Sequence, residues 1–356
     1  MFTRPAQLTG LNAESRSTGI LGTMATRCPR PAPARGWRAA VAGVLLAVGP
    51  AACGDDGTAD PGVPTATTGA DEASPASDCE RGALDERPYI LCTSGADEGQ
   101  ALVMALHARP SSADELQQGT ELHVIAAEGG LAVVYPQGVD AGWGDDPFAT
   151  PSRPAGDEDV VYLDRLVAAL RQDPRIGSEP IGIVGYSNGA GMALRYAAER
   201  PDMVRAVVAV AGQLARDPAV RPSGRVPLLA VHGTADPVTP FDNGLPEAPD
   251  RGPRDPTPTL STPGTVAAFV SMASGAVTHS GPEEIDPDPD DETRLSTERW
   301  VDQEGTVAVL RAVVDGGHTW PSARGEFSGG GFGPISQDID ASADAIAFVI
   351  DPDTVG

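Results

Sequence analysis

The stretch Ile181-Gly-Ile-Val-Gly-Tyr-Ser-Asn-Gly-Ala-Gly-Met-Ala-Leu-Arg-Tyr-Ala-Ala-Glu199 decides the architecture. Its first four residues form a short apolar run that predicts a buried strand, and the alanine-rich segment from Ala190 to Arg200 predicts a helix. Between them lies Gly185-Tyr-Ser-Asn-Gly189, a G-x-S-x-G sequence that is weak evidence alone. A strand running into it and a helix leaving it is the arrangement that lifts a serine onto a tight turn. Glycines suit both flanks, because strand and helix pack too close there for a Cβ. Ser187 then stands at the carboxyl end of a strand, with the first N–H groups of a helix facing incoming negative charge.

On both sides the same alternation continues. Strands are predicted at Ala101–Leu106, Leu131–Tyr135, Val204–Val210, Val226–Val231 and Val307–Val314. Helices are predicted at Ala113–Glu128, Asp159–Leu170, Thr265–Ala273 and Ala341–Ile350. Strands interleaved with helices imply right-handed crossovers and an α/β class with a mostly parallel central sheet flanked by helices. Asp242–Pro263 and His279–Thr293 break the pattern and read as surface loops. The run Asp286-Pro-Asp-Pro-Asp-Asp-Glu292 lacks the glycine turn of a calcium loop, so no metal site is expected there.

The 356 residues have a formal charge of −25. Residues 1–52 hold six arginines against one glutamate, so the remainder of the chain is more acidic still. Such a surface repels phosphate backbones, which makes nucleic acid a poor partner. Every basic residue is arginine and none is lysine. Schiff-base and lysine-nucleophile chemistry are thereby excluded. From Met24, an alternative true start, arginines precede the apolar run Ala39–Val48 and then Pro50-Ala-Ala-Cys53, an expected export signal over 1–52. Its ending resembles a bacterial lipoprotein box, which would make Cys53 a lipidated membrane tether; simple secretion is the alternative. Residues 53–78 read as a Pro/Gly/Asp-rich tether and 79–356 as one catalytic domain. Cys79 and Cys92 are left to form a disulfide in an oxidising compartment.

A serine hydroxyl needs a base to attack a carbonyl at neutral pH. His318, in Asp315-Gly-Gly-His-Thr-Trp-Pro321, follows the last strand, where a loop can project an imidazole over the sheet edge. Asp236, at the end of His232-Gly-Thr-Ala-Asp236, follows another strand and is the candidate to hold that imidazole in one tautomer. Asp242 is the runner-up, and Asp315 is too close in sequence to His318. Ser187, Asp236 and His318 thus come in the order Ser…Asp…His, each at the carboxyl end of a separate strand. For an oxyanion hole, the N–H of Asn188 is one expected donor. Ala108 and Arg109 are candidates for the second, since Pro110 has no N–H. His107, Trp143, Tyr186 and Trp320 are candidate pocket residues, although core packing accounts equally well for the two tryptophans.

Leu106-His107, Tyr135-Pro-Gln-Gly138, Gly185-Tyr-Ser-Asn-Gly189, His232-Gly-Thr-Ala-Asp236 and Gly317-His-Thr-Trp-Pro321 together resemble the polyhydroxybutyrate depolymerase and feruloyl esterase group. The likeness runs from about residue 87 to 350 and implies an α/β-hydrolase fold. It also implies serine esterase activity on small or oligomeric neutral esters, without metal or organic cofactor. Family members commonly have His-Gly where this chain has His107-Ala108. A β-carbon there would narrow the oxyanion loop. That departure motivates a rival reading, a binding lipoprotein on the same fold that has lost turnover; a serine peptidase is a third.

Overall fold

A computed structural model of the chain describes residues 78–144, 158–216, 220–244, 258–323 and 332–355. The export segment 1–52, Cys53, nearly all of the 53–78 tether and most of the Asp242–Pro263 loop lie outside them. Ten strands form one sheet in the order β1-β2-β4-β3-β5-β6-β7-β10-β9-β8. Its centre is parallel: β4 (Ala132–Pro136), β3 (Leu102–Leu106), β5 (Ile181–Tyr186), β6 (Val204–Val210), β7 (Leu228–Gly233) and β10 (Gly305–Val314). β3, β4, β5 and β7 are buried along their whole length. That is why they read as unbroken apolar runs rather than alternating ones.

Helices cover both faces. On one face α3 (Glu158–Leu170), α4 (Asn188–Glu199) and α5 (Thr262–Val270) set Leu163, Leu166, Met192, Leu194 and Phe269 against Met104, Leu106 and Ile183. On the other, α1 (Ala113–Thr120), α2 (Leu122–Glu128) and α6 (Ala341–Ile350) set Leu116, Leu122, Ile346 and Phe348 against Val103, Ala105 and Val184. Successive residues of β3 and β5 therefore serve opposite cores, as the period of a strand requires.

Several features depart from the sequence reading, among them the helix expected at Thr265–Ala273, which runs three residues earlier at both ends, and the unexpected strand Arg294–Asp302. The helix expected at Ala113–Glu128 is two, because Glu121 adopts a left-handed conformation (φ 48°) between them. The strand expected at Val226–Val231 begins and ends two residues later. An antiparallel hairpin of β1 (Asp78–Leu84) and β2 (Arg87–Thr93) precedes the first expected strand. Its Asp85-Glu86 turn has φ values of 52° and 63° at the two central residues, the backbone of a tight hairpin. Finally, the first half of the expected loop His279–Thr293 is an edge strand. β8 (Thr278–Ile285) pairs with β9 (Arg294–Asp302), and every residue of β8 is exposed. With no face to bury it needs no apolar period, and Pro282 and its two glutamates blunt the open edge. In the β1–β2 ladder Cys79 stands directly opposite Cys92, their sulfurs 2.06 Å apart.

At the other end of the sheet Asp302 ties several segments together. Its side chain is wholly buried and receives Arg225 through Nε and Nη2 at 3.0 and 3.1 Å, and the N–H groups of Ser274 and Glu304 at 2.7 and 2.8 Å. The Arg225 hydrogen bond, helped by those N–H groups against the cost of burial, lowers the carboxyl from 3.8 to about 2. A carboxyl lowered by folding stabilises the protein fully above its unfolded value and loses that contribution as pH falls through the folded one. We therefore expect Asp302→Asn to cost about 2 kcal/mol at neutral pH. In parallel thermal melts, the gap from wild type should close between about pH 4 and pH 2.

Candidate active site

Ser187 links β5 to α4 with φ 54° and ψ −118°, a strained conformation for a residue with a β-carbon. The strain is held by neighbours. The Ser187 N–H donates to the carbonyl of Val210 at 2.8 Å, and its own carbonyl accepts from Ala190 and Gly191. A Cβ on Gly185 would overlap the Gly189 carbonyl, and one on Gly189 would overlap the carbonyls of Leu106 and His107. Both glycines are thus required by close backbone approach. Ser187 occupies the N-cap of α4 but makes no side-chain capping bond. Its hydroxyl instead lies 2.8 Å from Nε2 of His318.

His318 follows β10 and is 5% exposed. Its N–H donates to the Phe332 carbonyl at 2.9 Å, and its carbonyl accepts the Tyr186 hydroxyl at 2.9 Å. The Tyr186 ring stacks on the imidazole at 5.7 Å, and Phe332 meets it edge-on at 6.1 Å. Backbone and ring are therefore both fixed. Nδ1 of His318 lies 2.7 Å from Oδ2 of Asp236.

Asp236 is buried in the turn after β7. Oδ1 accepts the N–H groups of Val238 and Thr239 at 2.7 and 2.8 Å, and Oδ2 accepts the Thr239 hydroxyl at 2.9 Å. His232 Nε2 is a further 3.0 Å from Oδ2. Burial pushes this carboxyl up, but the hydrogen bonds from His232 and His318 outweigh it and hold Asp236 far below the usual carboxylate range. It is an anion throughout the neutral range. Asp236, and not the runner-up Asp242, is the carboxylate against His318. Asp315 is exposed; its N–H donates to the Thr234 hydroxyl at 2.9 Å, and its carboxylate lies 3.8 Å from Arg294 Nη2.

The other expected residues fall differently. His107 is fully buried; Nε2 accepts the Gly138 N–H at 2.9 Å, which leaves Nδ1–H to donate to the Ala108 carbonyl at 2.8 Å. It joins the loops after β3 and β4 from a fully buried position. Trp143 is equally buried, its Nε1–H on the His107 carbonyl at 3.0 Å. Trp320 is buried too, with its indole N–H on Ser342. Both tryptophans are core, as large aromatic rings with one satisfied polar atom are elsewhere. Tyr186 is a support beneath His318 rather than a wall. Ala108 is partly buried and packs against the core on the α1, α2 and α6 face of the sheet.

Asn188 is the first residue of α4, so its N–H has no intrahelical acceptor. Its carboxamide clamps Trp143 in both directions, accepting from N at 2.7 Å and donating to O at 3.0 Å. The next residue is locked as well: Gly144 donates to Asp159 at 2.7 Å and accepts from Arg195 at 2.8 Å. Gly144, Asp159 and Arg195 fall in no sequence motif, and their link to this region appears only in the fold. Because the Ala108 carbonyl turns toward His107, the Arg109 N–H of the same planar peptide points the opposite way.

Residues 152–248 match the model of the Dienelactone hydrolase family. The chain is 36% identical over 259 residues to a protein named "Putative esterase NocK" from Nocardia uniformis subsp. tsuyamanensis, covering 71% of this chain and 75% of that one. It is 27% identical over 176 residues to feruloyl esterase C of Emericella nidulans, covering 46% of this chain and 59% of that one. Among solved structures, esterase PE8 overlaps 73% of this chain and 96% of its own at 19% identity, with a TM-score of 0.44.

Proposed function

The chain belongs to the esterase family of α/β-hydrolases that includes NocK and is a carboxylic ester hydrolase, and from that premise we propose that it works through an acyl-Ser187 intermediate. In this reading Ser187 Oγ attacks the ester carbonyl as His318 Nε2 takes its proton. The imidazolium then returns that proton to the departing alcohol, and a water repeats the cycle to release the acid. Asp236 keeps Nδ1 protonated, and the N–H groups of Asn188 and Arg109 receive the oxyanion. The single observation that supports it most is the unbroken line from Ser187 Oγ to His318 Nε2 at 2.8 Å and from His318 Nδ1 to Asp236 Oδ2 at 2.7 Å.

Feruloyl or acetyl esters of sugars and hydroxyalkanoate oligomers are the proposed substrates, all neutral, as suits a chain of charge −25. The proposed setting is outside the cytoplasm, either tethered through a lipidated Cys53 or secreted, with Cys79 and Cys92 disulfide-bonded.

Mixing enzyme with excess p-nitrophenyl acetate should release a burst of about one p-nitrophenol per enzyme before the steady rate. Absence of both burst and turnover would favour a binding protein. Equal rates on a peptide anilide would favour a peptidase. Initial rates on methyl ferulate, acetylated xylo-oligomers and hydroxybutyrate oligomers then rank the substrate classes.

A further inference from the structure

A second histidine stands behind the Asp236 carboxylate. His232, at the end of β7, is 2% exposed, and its Nε2 lies 2.8 Å from the Thr239 carbonyl and 3.0 Å from Asp236 Oδ2. Both neighbours are acceptors, so Nε2 must carry hydrogen. The opposite nitrogen agrees. Nδ1 is 2.9 Å from the Thr262 hydroxyl at the start of α5, and that hydroxyl itself accepts from Gln213 Nε2 at 3.0 Å.

The orientation of Gln213 is fixed independently. Its Nε2 also donates to the Pro240 carbonyl at 3.0 Å, while its Oε1 accepts the Thr259 hydroxyl at 2.7 Å. The chain of donors therefore runs in one direction, from Gln213 to Thr262 to His232 Nδ1, and emerges as an Nε2–H shared between Thr239 and Asp236. None of this is needed to fill space: the ring already has Phe241 edge-on at 5.9 Å. The relay selects one tautomer and aims its proton at the turn that bears the acid.

We propose that His232 is a positioning residue for the ester-hydrolysing site. It holds the Asp236–Thr239 turn and shares the charge of Oδ2, so that Asp236 orients His318 without binding its proton too tightly. The proposal rests on the reading of Asp236 and His318 as acid and base. The titratable groups facing Asp236 are His232, His318 and Tyr186, and the Tyr186 hydroxyl is already engaged by the His318 carbonyl. Removing the His232 donor leaves more negative charge for His318, whose imidazolium is then favoured. The base becomes harder to keep free.

The test compares the pH dependence of kcat/KM for p-nitrophenyl acetate in wild type, His232→Leu, His232→Gln and Thr262→Val, with thermal melts of each. The Leu variant should lose about tenfold in kcat/KM. Its acid limb should move up by about half a pH unit or more. Gln, whose amide nitrogen can reach the place of Nε2, should return the limb toward wild type. An unmoved acid limb in a folded Leu variant overturns the proposal, as does a shift that Gln leaves unreversed, which would assign the effect to packing. If Leu fails to fold, Thr262→Val decides: it removes the hydroxyl that anchors Nδ1 and so holds the ring less firmly against Asp236, whence a smaller upward shift supports the proposal and no shift overturns it. The reading beneath fails separately, if Ser187→Ala remains active.

Discussion

Ser187→Ala is expected to lower turnover of an activated ester by about 10⁴-fold or more, with the melting temperature unchanged or slightly raised. The reasoning starts from the backbone. Ser187 keeps φ 54° because Val210, Ala190 and Gly191 hold its amide and carbonyl, and alanine accepts that conformation on the same terms. The hydroxyl is not used for capping α4, so its removal frees no helix end. What disappears is the oxygen that stands 2.8 Å from His318 Nε2 at the head of the triad line. Stability and activity should therefore separate cleanly. Rates on p-nitrophenyl acetate and a thermal melt check this together. Retained turnover would remove Ser187 from the mechanism, whatever its geometry.

Gly189→Ala is expected to act on fold and site at once. A β-carbon at 189 enters the space of the Leu106 and His107 carbonyls, which are backbone at the end of β3 and cannot swing aside as a side chain would. Either α4 or the end of β3 must move. Overpacking against backbone costs about 3 kcal/mol or more, a fall in melting temperature of roughly 6–12 °C for a domain of this size. The same displacement carries His107, and with it the Ala108–Arg109 peptide, away from Ser187. Activity measured well below the new melting temperature should still be depressed, mainly in kcat, if the proposed oxyanion donors Asn188 and Arg109 are preorganised by that contact. A variant that melts and turns over like wild type would show that α4 and β3 tolerate separation.

The three side chains of the proposed triad could be picked out because each lies in a short segment whose local pattern names its place, and the fold brings them together. The apolar run before Ser187, the strand before Asp236 and the Gly-Gly before His318 all put a functional side chain at a strand end. The choice of acid was not legible in the same way. Asp236 and Asp242 are six residues apart and chemically alike, and only the folded turn brings one of them to 2.7 Å from Nδ1. For the candidate pocket residues the sequence left core packing open as an equal account of both tryptophans, and the fold buries them and His107. His107, Trp143 and Trp320 are polar-tipped rings beside motifs, and such rings bury themselves when the tip finds a partner, which here comes from distant chain.

What the sequence by itself determined is what contiguous residues encode: the alternation of buried strands and helices, the tight glycine-flanked turn at Ser187, and the chain order of three reactive groups. Periodicity and turn chemistry act over a few residues and need no partner. Tertiary structure alone decided the rest. The exposed edge strand β8 exists because β9 is beside it, and the relay from Gln213 through Thr262 to His232 joins three separate segments. A buried polar group must find its partner wherever the fold supplies one, and the position of that partner is not written next to it.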